Sequence, residues 1–279
     1  MLKLMYITND PEVALVAERS GVDRIWIDLE TLGKEERQKN YNSVKSHHTV
    51  EDIRTIAPML SSSEMLVRVD PWNENSQEQI DSVIEAGAQI VMLPYWKTPE
   101  EVAHFINAVG GRCRTMLLLE TKEAVECLDE VLQIPGIDEI HIGLNDLHLS
   151  YSLTFMFELY SNGVVEQIAN KVRAAGIPFG IGGIGKFGTG LLPTPEDLII
   201  EHYRLGSTGV ILSRSFCNYQ KIGDLEKIEE ELSKGIEQIR EVEEKCKVYT
   251  PEEFLSNKKR LDRDNETVVR EIRQKRESS

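Results

Sequence analysis

Eight times along this chain a short, unbroken apolar run is followed by a longer amphipathic stretch, and that alternation limits the fold more than any other feature. A run without polar alternation is a strand buried on both faces, and such strands belong to parallel sheets covered by helices. The runs occupy residues 2–8, 24–28, 65–69, 89–93, 114–119, 138–142, 178–181 and 208–212. Helices are predicted between them at 11–19, opening at Thr49, at 76–86, opening at Pro99, at 121–132, within 154–175, and at 195–205 and 225–247. Thr49 with Asp52, and Thr98 with Glu101, have the spacing of capping boxes, and Gly87 and Gly206 stand where a helix ends on glycine. Eight units in roughly 250 residues favour a closed (β/α)8 TIM barrel over an open doubly wound sheet. The barrel is expected over residues 1–247. Residues 248–279 are polar with both signs of charge mixed, and read as a solvated extension, with packing on a neighbouring subunit as the alternative.

Composition narrows the function. Asp and Glu number 47 against 32 Lys and Arg, a net charge of −15, which repels nucleic acid and anionic membranes. No apolar run approaches the ~20 residues of a membrane span. The N-terminus lacks an apolar signal core, so a cytoplasmic location is expected. The four cysteines (Cys113, Cys127, Cys217 and Cys246) are too scattered for a zinc knuckle or redox pair.

In a barrel, reactive groups sit at the carboxyl ends of strands. Those positions hold Asp28 and Glu30, Arg68, Glu120, Asn145 and Asp146, and Ser213 and Arg214. Glu120 and Asp146 follow neighbouring strands, and two carboxylates plus waters suit Mg²⁺ or Mn²⁺. Each acid alone would equally serve as a helix cap. Arg68 reads either as a buried ion-pair partner of Asp28 or Glu30, or as a guanidinium aimed at a carboxylate or oxyanion. Gly180-Ile-Gly-Gly-Ile-Gly185 fits a dinucleotide fingerprint, but no helix follows it; a glycine loop at the barrel mouth is the better reading. Ser213-Arg214-Ser215 reads as a phosphate or hydroxyl contact, or as surface pairing of Arg214.

The segment LLLETKEAVECLDEVLQIPGIDEIHIGLNDL, with IDLE at 27–30, the arginine of LVRV and EAGAQIVMLP at 85–94, resembles the HpcH/HpaI aldolase and citrate lyase family. The likeness runs from about residue 2 to 212. It implies a phosphoenolpyruvate/pyruvate-type barrel and a class II pyruvate aldolase, a carbon–carbon lyase joining pyruvate or a close 2-oxo acid to a hydroxylated aldehyde. By that resemblance Glu120 and Asp146 hold a divalent cation (Mg²⁺ or Mn²⁺, with Co²⁺ a third candidate). Arg68 steadies the enolate oxygen, and the amides of Asn145 and Asp146 receive the substrate carboxylate. Glu85 matches an acidic residue that sets protonation, often from a neighbouring subunit, and a homo-oligomer, hexamer or trimer, is expected. Family aldolases carry a basic histidine directly after the second-strand glutamate, where this chain has Thr31. His47 and His48 are the candidate bases in its place. A citramalyl- or malyl-CoA-type lyase and a non-catalytic barrel that binds metal and pyruvate are the alternatives.

Overall fold

In the computed structural model, which describes residues 1–33 and 48–277, the strands pair in chain order and the ring closes. They are β1 (Lys3–Ile7), β2 (Arg24–Asp28), β3 (Glu64–Arg68), β4 (Ile90–Leu93), β5 (Arg114–Leu119), β6 (Glu139–Ile142), β7 (Phe179–Ile184) and β8 (Gly209–Leu212). All pairings are parallel, and β1 seals against β8 with Leu4 opposite Val210. The expected TIM barrel is therefore the observed one.

The surrounding helices are α1 (Pro11–Arg19), α2 (Val50–Ile56), α3 (Ser76–Ala86), α4 (Pro99–Val109), α5 (Lys122–Glu126), α6 (Leu128–Val131), α7 (Leu144–Ser150), α8 (Glu158–Ser161), α9 (Val164–Ala174), α10 (Pro195–Leu205), α11 (Tyr219–Ile222), α12 (Leu225–Cys246) and α13 (Pro251–Glu277). Thr49 and Thr98 form the two capping boxes as the spacing predicts. The helix expected over 121–132 is two short ones, broken at Cys127, whose ψ of 8° leaves the helical range. The one expected within 154–175 is split ahead of Gly163, at φ 83°.

Successive side chains on a strand point to opposite faces, so every second residue enters the barrel. On β2 and β3 this places Arg24 beside Glu64, Trp26 beside Leu66 and Asp28 beside Arg68. The inward residues thus form three levels. The floor is ionic: Arg24, only 1% exposed, reaches Glu64 at 3.1 Å and both Glu139 carboxylate oxygens at 2.7 and 2.5 Å. Arg114 bonds to Glu64 and Glu139 as well. Because β2 and β6 are not neighbours, the Arg24–Glu139 contact spans the interior. The middle level is apolar and includes Met5, Trp26, Leu66, Met92, Met116 and Leu118.

Glycines in β7 correct one sequence expectation. Residues 180–184 are strand rather than loop. His141 of β6 lies against them, and a Cβ on Gly180 would stand 2.4 Å from its Nδ1. The barrel accepts the imidazole only where its neighbour has no side chain. The His141 Nε2 lies 3.1 Å from the Gly182 carbonyl. Burial pushes the His141 pKa down to about 4, and that of His202 on α10 down to about 3. Both rings therefore stay neutral in the folded chain, while the unfolded chain takes up protons near pH 6.5. Between pH 6 and 5 the unfolded state binds more protons, so stability falls as pH falls, with a slope of up to about 1.4 kcal/mol per pH unit for each histidine. Urea midpoints across this window measure the slope, and His202→Gln should remove about half of it. A flat profile would contradict the buried, neutral assignment.

The C-terminal residues do more than the solvated extension predicted from their composition. Helix α13 packs on α10 and α8. Leu261 is fully buried, Asn257 donates to the Asp197 carbonyl at 3.0 Å, and Arg260 Nε donates to the Asp197 carboxylate at 2.8 Å. Asn265 donates to the Phe157 carbonyl at 2.8 Å and to Ser161 Oγ at 2.9 Å. No helix among the described residues is long and apolar enough to cross a membrane.

Candidate active site

The third level of the barrel opens into a cavity of about 950 Å³ at the carboxyl ends of the strands. Arg68, at the end of β3, is its central cation. Its Nε and Nη2 both donate to Asp28, each at 2.9 Å, and Nη1 stands 3.1 Å from Glu30. Its guanidinium lies 5.3 Å from the centre of the Trp26 ring. The Asp28 fork takes two of the five guanidinium N–H groups and Glu30 engages a third, leaving donors on the cavity side for a ligand oxygen. The two carboxylates hold the Arg68 pKa well above its ordinary value against the cost of burial. The two readings of Arg68 are thus not exclusive: the ion pair fixes the group that faces the cavity.

Glu120 follows β5 and is 3% exposed. Its Oε1 accepts the Tyr95 backbone N–H at 3.0 Å. Tyr95 has φ 51°, a left-handed conformation that costs a non-glycine residue about 1–3 kcal/mol. The backbone after β4 is bent to present that amide. Behind Glu120 lies Gly143, where a Cβ would stand 2.9 Å from the Glu120 Cβ and 3.0 Å from Oε2. Gly143 is also the residue from which α7 starts, and Asp146 lies in the first turn of that helix. The glycine thus makes room for Glu120 at the start of the helix that carries Asp146, and both acids line the cavity. Gly143→Ala should leave the barrel folded but push Glu120 aside, reducing kcat by about 10²-fold, since ~1 Å of misplacement costs about that much. Retention of more than half the wild-type turnover would show that the close approach is dispensable.

The pair suits a hard divalent cation in donor type. Glu120 and Asp146 supply carboxylate oxygens, and Mg²⁺ binds through one or two carboxylates while keeping waters and substrate oxygens. The described residues contain no cluster of three or more His, Cys, Asp or Glu with metal-holding geometry.

His48 lines the cavity, whereas His47 lies outside the described residues. The Asp28 backbone N–H donates to His48 Nδ1 at 3.0 Å. In the neutral ring the proton is then on Nε2. One ring nitrogen of His48 is thus engaged by the backbone beside Arg68's partner Asp28, which fixes the ring at the cavity wall. Asn145 and Asp146 line the cavity beside Glu120. Ser213, Arg214 and Ser215 line its opposite side, where the two serine hydroxyls are 2.8 Å apart. Glu85 is not brought to the cavity: it is exposed near the C-terminal end of α3. The resemblance draws that acid from a neighbouring subunit, and one chain alone does not place it.

Sequence reasoning missed Tyr95, whose positive φ has no residue signature, and Val268 and Glu271 of α13, which also line the cavity. It also gave no role to the apolar residues 155–157 and 191–193.

A closed (β/α)8 barrel with an arginine and paired carboxylates at the carboxyl ends of its strands has the architecture of a barrel enzyme. The chain belongs to the HpcH/HpaI aldolase/citrate lyase family, whose model matches residues 3–189. A hydroxypyruvate/pyruvate aldolase of Roseovarius nubinhibens is 23% identical over 179 residues, covering 50% of this chain and 66% of that protein. The HpcH/HpaI aldolase of Desulfitobacterium hafniense DCB-2 superposes with a TM-score of 0.61 at 14% identity, over 80% of this chain and 91% of that one. Citrate synthase SbnG does so with a TM-score of 0.59 at 19% identity, over 80% and 91%. The family is of aldolase and lyase type and generally depends on a divalent metal.

Proposed function

We infer that this protein is a divalent-metal-dependent aldolase that makes or breaks the bond between pyruvate, or a close 2-oxo acid, and an aldehyde. The observation that carries the reading is the gathering of Glu120, Gly143, Asp146 and the clamped guanidinium of Arg68 on one cavity at the carboxyl ends of the strands. Glu120 and Asp146 would hold the cation, which supplies a Lewis acid for the 2-oxo acid's oxygens. The first-turn N–H groups of α7 donate to the substrate carboxylate. Arg68 donates to the keto oxygen as it becomes an enolate.

In the cleavage direction the 4-hydroxyl proton passes to a carboxylate. With Glu120 and Asp146 committed to the cation, Glu30 is the acceptor beside Arg68. The C3–C4 bond breaks with its electron pair left on the pyruvate fragment, and the same proton returns to C3 to give pyruvate. His48 Nε2–H supports the oxygen that carries charge. A neutral histidine held as a donor suits this role.

The test is pyruvate release from 4-hydroxy-2-oxo acids with Mg²⁺ or Mn²⁺, together with exchange of pyruvate's methyl protons in D₂O. Both activities are expected, and both should vanish with chelator. Silence in both assays with metal supplied would refute the assignment. Cleavage confined to acyl-CoA substrates would transfer it to the CoA-lyase branch.

A further inference from the structure

Most of the cavity is not needed by a three-carbon acid. Its volume of about 950 Å³ stands at the upper end for small-molecule sites, which run ~300–1,000 Å³. Away from Arg68 and the carboxylates one stretch of its wall is apolar, formed by Phe155 and Met156 ahead of α8, Leu191 and Leu192 after β7, and Val268 of α13, while Lys186, Thr189, Arg214, Asn218 and Gln220 line other parts of it. Leu191 is 67% exposed and Leu192 37%. Large aliphatic side chains gathered at the rim of a cavity are a site for apolar ligand surface.

The wall is also braced. The Phe155 and Phe157 rings meet edge to face at 5.2 Å, and Phe157 stacks on Tyr160 at 6.2 Å. Asn265, 1% exposed, holds the Phe157 carbonyl from α13, and Asn257 and Arg260 tie the same helix to Asp197. The stretch of α13 from Asn257 to Asn265, about two and a half turns, is thus fixed ahead of Val268 and Glu271, which border the cavity. A preorganised apolar wall favours a ligand that needs no hydrogen bonds along it.

We propose that the acceptor subsite takes an aldehyde with an apolar body, an alkyl chain or an aromatic ring, and that Val268 of α13 is a specificity-determining residue for it. The proposal rests on the 2-oxo acid reading above and refines its second substrate. It replaces the hydroxylated aldehyde expected from the sequence, because the side chains at 155–157 and 191–193 offer sugar hydroxyls no partners. A polyol against this wall would lose its hydration without replacement.

The experiment is an acceptor series in the addition direction, with pyruvate and Mg²⁺, comparing propanal, hexanal, benzaldehyde, glyceraldehyde and succinic semialdehyde. Each kcat/KM is normalised to the rate of pyruvate methyl-proton exchange by the same protein. Hexanal should exceed propanal by roughly fourfold per added methylene, and the hydroxylated and carboxylated aldehydes should trail. Val268→Asp should lower the hexanal-to-propanal ratio about tenfold, and Glu271→Leu should raise it. A lead for glyceraldehyde or succinic semialdehyde, or a ratio that neither variant moves, would overturn the proposal while leaving the aldolase reading intact. Absence of proton exchange in the wild-type protein would overturn both.

Discussion

Arg68→Lys is expected to keep the fold and lose about 10²–10³-fold in kcat/KM for pyruvate release. Lysine keeps one positive charge between Asp28 and Glu30, so the buried acids are still compensated. It cannot fork onto Asp28 and at the same time present a fixed donor to the cavity, because an ammonium is a point charge on a flexible stem. The loss should therefore fall on kcat, where a donor aimed at developing charge matters, more than on KM. Arg68→Ala should lose more, but it also strands Asp28 and Glu30, so part of its effect is on stability. The lysine variant separates the two roles. Turnover within threefold of wild type, with unchanged thermal unfolding, would show that the guanidinium serves only the ion pair.

The second large effect lies at the other end of the barrel. Arg24→Met should destabilise the protein by about 3–5 kcal/mol, the usual consequence of removing one member of a buried ionic network. Arg24 is 1% exposed and bonds to both Glu64 and Glu139, so its loss leaves two inward-pointing carboxylates short of their cation. In a chain of this size the midpoint of thermal unfolding should fall by roughly 10 °C. Combining it with Glu139→Leu and Glu64→Leu should restore much of the loss, since an apolar replacement of a whole network is often neutral. A single-variant cost below about 1 kcal/mol would mean that water already reaches the network.

The barrel was legible because its strands are apolar throughout, and because capping residues such as Thr49 and Thr98 obey local rules. The neighbourhood of Glu120, Asp146 and Arg68 followed from the same topology, which sets strand order. What escaped the sequence depends on packing. Helix α13 buries Asn257, Leu261, Asn265 and Val269, a stripe with a spacing of four. Two of the four are polar, so the apolar period that marks an amphipathic helix is diluted, and the segment reads as solvated. Their amide nitrogens donate to carbonyls of other segments, a fact visible only in three dimensions. Likewise Gly180 looks like a loop residue until His141 is placed against it. The Asp28 amide on His48 Nδ1 is equally invisible in the sequence.

The ionic floor has a kinetic corollary. Among the described residues, Arg24, Glu64, Arg114 and Glu139 seal one end beneath an apolar plug, which leaves the cavity its opening at the carboxyl ends of the strands. On the aldolase reading proposed above, a 2-oxo acid held beside Arg68 would sit deepest, with its aldehyde partner across its path to solvent. Traffic would then be ordered, the ketoacid entering first and departing last, and product inhibition should show pyruvate competing with the cleaved substrate for the free enzyme while the aldehyde does not.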